Sequence, residues 1–293
     1  MKKWFKKRKV MIYILLFMLG LFSSYQFLVH KKIILHNKEI VDFVLNNSFE
    51  NKNIFKKIEK ITISKNQMFS LLKEDYQEVS TSTVIDYREP IIYLYNSHPT
   101  EEYQSSTFGE FSLNPTVIIS NYILEDIFNK NGYHSLVEER SVSDVLDQNN
   151  WNYASSYRAS RMFLEDSIIK YPSLKYFVDI HRDSVTRDLT TITIDNRDYA
   201  KILFIVGLEN NHYEENLSFT EKIDDKLNEY YPGLSKGIYK KEGPGVNGVY
   251  NQDFSPKTIL VEVGGYENTT TEVLNTAIAF SKCMMEVIHE ESN

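Results

Sequence analysis

Cysteine is nearly missing: Cys283 is the only one in 293 residues, so no internal disulfide forms and no cysteine cluster can hold zinc. Histidine is also scarce, at 7. Any bound metal must therefore rest on histidines and carboxylates that can be weighed one by one. Glycine (11) and proline (7) are few, which removes collagen-like and low-complexity classes. Positive charge is thin once the N-terminus is passed. Of 33 Lys and Arg, six (Lys2, Lys3, Lys6, Lys7, Arg8, Lys9) precede residue 10, leaving 27 against 40 acidic residues, a balance of −13. That lacks the basic stripe of a nucleic-acid binder. What is present suits a chain that buries a core: 42% apolar, 25% charged, with 20 Tyr and 17 Phe. The length allows one large domain plus an appendage, or two domains.

Val10 to Val29 is a run of twenty residues without a charge. As a helix at about 1.5 Å per residue it spans a hydrocarbon core of ~30 Å. The basic residues 1–9 mark the cytoplasmic side, so the remainder is expected to face outward from a single-pass anchor. A cleaved signal peptide needs a shorter apolar core and a small-x-small cleavage site, and the run passes into Tyr25, Gln26 and Phe27 without one. An exported chain without disulfides suggests a bacterium that does not staple its surface proteins.

Residues 30–85 contain no Pro or Gly and are rich in Lys, Asn, Ile and Glu. They read as a stalk with loosely helical stretches and no visible chemistry. From residue 86 to 293 the texture alternates between strand and helix. Ile91–Tyr95, Tyr176–Ile180 and Thr258–Val263 are short apolar runs, the pattern of strands buried on both faces. Helices are predicted at 117–130, stopping at Asn131-Gly132; at 155–171, closed by Pro172; at 213–231, stopping at Pro232-Gly233; and at 268–290. A strand pair is predicted from 190–196 and 200–206. This is the alternation of an α/β fold, a mostly parallel sheet flanked by helices, whose ligands sit beyond the carboxyl ends of the strands.

Three of those strands end in chemistry. The first runs into Asn96-Ser97-His98-Pro99-Thr100-Glu101-Glu102, the second ends Asp179-Ile180-His181-Arg182-Asp183, and the third carries Glu262 before Gly264-Gly265. If the strands are parallel neighbours, His98, His181 and Glu262 gather at one sheet edge. Two imidazoles and a carboxylate make a mononuclear zinc site with an open position. Glu101 is the first choice for the carboxylate, with Glu102 and Glu110 as substitutes, and Glu262 is then free to act as general base. Each residue also has a plainer reading. A histidine after a strand is more often a surface or core residue, and Glu262 could pair with Arg158, Arg161 or Arg182. His30, His36, His134, His212 and His289 receive no role.

The stretch from about 90 to 290 resembles the stage II sporulation protein P family, membrane-anchored peptidoglycan hydrolases in the clan of zinc N-acetylmuramoyl-L-alanine amidases. Seven pieces carry the resemblance: His98–Tyr103, Ser156–Arg161, Asp179–Ser184, Phe204–Gly207, Asn216–Phe219, Tyr250–Asp253 with Ser255-Pro256, and Leu260–Gly265 with Asn268. One departure stands out: the family pattern has His-x-His in the first piece, and Asn96 holds the place of its first histidine, so His98 is read as the ligand and Asn96 as a group behind it. The resemblance implies a Zn2+ enzyme cutting the amide between N-acetylmuramic acid and L-Ala, and also stem-peptide cross-links. It implies a role beside another wall hydrolase in a membrane complex. Arg182 is the candidate cation for the developing oxyanion, or else a partner of Asp179 or Asp183. Arg158 and Arg161, three apart on a helix, are candidates for stem-peptide carboxylates, with a pairing to Glu165 as the plainer reading. Asn251 and its neighbours would line the groove, or form a turn. Two other functions stay open: a zinc carboxypeptidase or endopeptidase on stem peptides, and a wall-binding scaffold without activity.

Overall fold

The structure is a computed structural model. It describes residues 87–292, apart from 109, 110 and 114. The predicted cytoplasmic tip 1–9, transmembrane helix 10–29 and stalk 30–85 lie outside the described residues. Among the described residues no helix is long and apolar enough to cross a membrane.

The central sheet has six strands: β1 (Ile92–Tyr95), β4 (Ser135–Val137), β5 (Tyr176–Asp183), β8 (Ile202–Gly207), β9 (Ser235–Lys241) and β10 (Thr258–Gly265), in the spatial order β4-β1-β5-β10-β8-β9. All neighbours are parallel except β10 and β8. The expected α/β fold with a mostly parallel sheet is therefore present, with one antiparallel junction inside it. Two hairpins stand outside the sheet, β2 (Ser106–Phe108) with β3 (Phe111–Leu113), and β6 (Thr191–Ile194) with β7 (Arg197–Ala200). The strand pair predicted over 190–206 is thus redrawn. Asp195 and Asn196 both take left-handed backbone (φ 48° and 60°), the conformation of a two-residue hairpin turn. The pairing ends at Ala200, and β8 leaves to join β10.

Among the described residues six α-helices complete the fold: α1 (Ile118–Lys130), α2 (Val142–Asn149), α3 (Ser156–Lys170), the short α4 (Arg187–Thr190), α5 (Tyr213–Tyr230) and α6 (Thr270–Ser292). The stop signals act where the sequence puts them. α1 ends before Gly132 at φ 80° and α5 before Gly233 at φ 85°; α3 ends two residues before Pro172. α2 has a cap of its own, the Ser141 hydroxyl accepting from the Asp144 amide at 3.1 Å.

Alternation along each strand divides the layers. Ile92 and Leu94, Val178 and Ile180, and Ile259 and Val261 join α1, α5 and α6 in the larger core. Tyr93, Tyr95 and Phe177 face the other way, onto Leu164 of α3 and Leu174. On β5 and β10 that second face also carries Asp179, His181 and Glu262, since each lies an even number of residues from Phe177 or Leu260. Burying a large apolar side chain such as Phe204 is worth about 1.5–3 kcal/mol, so the larger core fixes the sheet. The smaller α3 face leaves room for polar groups at the strand ends.

Candidate active site

β1, β5 and β10 are consecutive parallel neighbours, with Tyr95 opposite Asp179 and Glu262 opposite His181. The register therefore sets Glu262 and His181 side by side on one face. β1 ends at Tyr95, and the loop beyond it swings His98 over the same edge. The ligand-capable atoms of His98, Glu101 and His181 all lie within 4.8 Å of one another. The two imidazole rings are 5.0 Å apart at 82°. His181 Nδ1 lies 3.5 Å from Glu101 Oε2.

Each member is held from behind. His181 Nε2 is 3.1 Å from Asp179 Oδ1 and 3.0 Å from the Ser97 hydroxyl. Glu101 accepts the Arg182 backbone amide at 3.0 Å. His98 stacks on Tyr153 (4.9 Å) and meets Tyr157 edge-on (5.2 Å). β10 ends beyond Glu262 in an irregularity of register. There Gly264 takes φ +67°, and a Cβ on it would come within 2.7 Å of Asn268 Oδ1, so this bend accepts only glycine without strain.

The electrostatics follow from burial and neighbours. Burial opposes charge on His181, but the Asp179 and Glu101 carboxylates outweigh it and raise its pKa to about 10. Burial and then the neighbouring His181 hold His98 below its usual value. Burial works against ionised Glu101, yet His181 and the Arg182 amide bring its carboxyl below the ordinary range. Glu262 goes the other way. Burial first, then Asp183, raise it to about 7, with His181 and Lys236 pulling it back. Lys236 itself pairs with Asp183 at 2.7 Å.

The donor set fits a metal: two imidazoles and a carboxylate converge, and the rear nitrogen of one imidazole is already tied to a carboxylate, the arrangement that orients a ligating histidine. Of the substitutes for Glu101, Glu102 is exposed and forms a bridge with Thr116, and Glu110 lies outside the described residues.

None of the three arginines considered as partners of Glu262 pairs with it. Arg158 lies over the Trp151 ring at 3.8 Å. Arg161 pairs with Glu165 (3.1 Å) and Asp253 (2.8 Å). Arg182 donates through Nε to the Glu102 carbonyl (2.9 Å) and through Nη1 to the Asp183 carbonyl (3.3 Å). It therefore meets neither the Asp179 nor the Asp183 carboxylate, because Ser97 and Lys236 occupy those. Asn251, left-handed at φ 56°, donates to the Tyr157 carbonyl and the Ser160 hydroxyl, both at 3.0 Å, and so ties its turn to α3.

The model of the family "Stage II sporulation protein P" matches residues 22–285. The chain belongs to the stage II sporulation protein P family. A curated stage II sporulation protein P of Bacillus subtilis (strain 168) is 32% identical over 203 residues, covering 67% of this chain and 51% of that protein. The chain thus spans about half the length of that relative. Among solved structures, it is distantly similar to the N-acetylmuramoyl-L-alanine amidase AmiC2 of Nostoc punctiforme (TM-score 0.38, 14% identity, 68% of this chain and 97% of that one). It is also distantly similar to the CwlD amidase from Clostridioides difficile, solved in complex with the GerS lipoprotein (TM-score 0.44, 11% identity, 68% and 98%).

For a member of this family the departure at Asn96 has a plain structural account. Its buried amide donates to the Ile180 carbonyl at 2.6 Å and its oxygen accepts from Asn121 at 2.7 Å. Asn96 is thus a tie between the ends of β1 and β5 rather than a member of the cluster. Of the neighbours, Ser97, Tyr153 and Lys236 receive no role from the sequence, and Asp179 only that of an alternative partner for Arg182. Only Asp179 carried a signal, an acidic residue inside a buried apolar run and two residues before a histidine, hence on the same face.

Proposed function

We propose that this chain hydrolyses peptidoglycan at the amide joining N-acetylmuramic acid to L-Ala, with one zinc ion held by His98, Glu101 and His181. The observation that supports this reading is the convergence of those three groups within 4.8 Å, one strand from Glu262. Two imidazoles and one carboxylate suit a hydrolytic zinc that keeps an open position. When bound, zinc would supply a Lewis acid for the scissile carbonyl and bring the pKa of a water toward about 7.

The rest falls to the chain's own groups. Glu262, with a carboxyl near 7, takes a proton from the attacking water and returns it to the leaving amine. A base poised at the working pH is the effective one. Arg182, fixed beside the cluster by two backbone carbonyls, is the cation we assign to the developing oxyanion. Arg158 and Arg161 remain our candidates for stem-peptide carboxylates; Arg161 must exchange Glu165 or Asp253 for the substrate. Asn251 acts on the groove through the tie between its turn and α3. The anchor at 10–29, with the hydrolase outside the membrane and beside another wall hydrolase, belongs to the same proposal.

The test is mass spectrometry of wall fragments after incubation with the chain, with and without a chelator. Free muramic ends with intact stems, lost on chelation and restored by zinc, are the expected products. Shortened stems would favour the endopeptidase or carboxypeptidase reading, and no products would favour the scaffold.

A further inference from the structure

We propose that Asp179 is the positioning residue that sets both histidines of the cluster at once. The inference rests on the zinc reading above and adds to it. Asp179 is fully buried, and among the described residues no lysine or arginine pairs with it. A buried carboxylate that no lysine or arginine neutralises is costly unless its neighbours satisfy it. Here they come from two directions. Oδ1 accepts the Ser97 amide at 2.8 Å and Oδ2 accepts the Ser97 hydroxyl at 2.7 Å. Oδ1 also stands 3.1 Å from His181 Nε2.

Two consequences follow. First, a carboxylate only accepts, so the His181 nitrogen facing it must carry hydrogen. The lone pair of the neutral ring is then on Nδ1, the atom beside Glu101, where a metal is to be gripped. Second, Ser97 immediately precedes His98. Gripping both its amide and its hydroxyl fixes the turn that delivers His98 to the cluster, while Tyr153 and Tyr157 steady the ring. One side chain on β5 therefore couples a ligand on its own strand to a ligand in the loop after β1.

The experiment compares the 293-residue chain with Asp179→Asn, Ser97→Ala and Val178→Ala by competitive zinc titration. Histidine 15N correlation spectra of the zinc-loaded proteins are recorded alongside. Val178 is the fully buried neighbour on the opposite face of β5, so its variant lowers stability without touching the clamp. Asp179→Asn is expected to weaken zinc binding about 10–100-fold, the usual effect of losing a group that orients a metal ligand, and to move the Nε2–H resonance of His181 upfield, because the zinc-bound ring keeps that hydrogen but loses its charged acceptor. Ser97→Ala should weaken zinc less, and Val178→Ala not at all. If Asp179→Asn does not fold, Ser97→Ala decides, and unchanged affinity there overturns the inference. Asp179→Asn with wild-type affinity and an unchanged imidazole signature overturns it alone, as does Val178→Ala weakening zinc equally. A wild-type chain that takes up no zinc overturns the zinc reading itself, and this inference with it.

Discussion

Glu262→Gln separates catalysis from stability in one substitution. The Glu262 carboxyl stands near 7 against an ordinary 4.5, because burial and the nearby Asp183 penalise its charge. A carboxyl raised in the folded state leaves stability intact below 4.5 and costs it progressively as pH rises toward about 7. At 1.36 kcal/mol per pH unit the full cost is about 3 kcal/mol, and nearer ~2 kcal/mol once screening of a partly exposed group is allowed for. Glutamine carries no charge, so the stability gap between variant and wild type should open by that amount between pH 4.5 and pH 8. In a domain of about 200 residues this is roughly 4–8 °C in Tm. Any defect of the amide's own hydrogen bonding does not vary with pH, so the change in the gap, not its absolute size, is the readout. The assay is urea unfolding of chelator-treated protein at pH 4.5, 6 and 8. In the same variant turnover should fall about 10²–10⁴-fold, the usual worth of a general base, with zinc retained. A gap that stays constant with pH, or muropeptide cleavage at the wild-type rate, would refute the reasoning.

Three further outcomes are expected. Asn96→Ala should cost about 1–3 kcal/mol by chemical denaturation, because it strands buried groups of Ile180 and Asn121, and should leave zinc content at the wild-type level. Lys236→Ala removes a cation that lowers the Glu262 pKa, so the acid limb of the kcat/KM profile should move to higher pH. Arg161→Ala should change stability by less than about 1 kcal/mol, since its carboxylate partners are exposed (Glu165) or half-exposed (Asp253), while raising KM for muropeptides.

Much of the scaffold was legible because three strands are buried on both faces. Ile91–Tyr95, Tyr176–Ile180 and Thr258–Val263 stood out as apolar runs, and Gly132, Pro172 and Gly233 ended the helices where expected. What escaped had weak local signals. β4 is three residues long. β9, Ser235–Lys241, is an edge strand with mostly half-exposed or exposed side chains, so nothing apolar marks it. β8 read as the partner of the segment before it, because sequence does not say where a hairpin ends and a sheet strand begins. Its antiparallel pairing with β10 is a tertiary choice. The same division holds at the site. His98, Glu101, His181 and Glu262 were readable as strand-end residues able to bind metal or move protons. The fates of Arg161 and Arg182 were not, because they depend on Asp253 and on the carbonyls of Glu102 and Asp183. The clamp of Asp179 on Ser97 joins residues 82 apart in the chain, and no spacing rule could have indicated it.

The most direct test of the central claim is equilibrium zinc binding to the purified 293-residue chain, set beside His98→Ala and His181→Ala. One tightly held zinc per chain, lost in each variant while the fold persists, is the predicted result. Equal zinc uptake by all three proteins, or none by any of them, would contradict it.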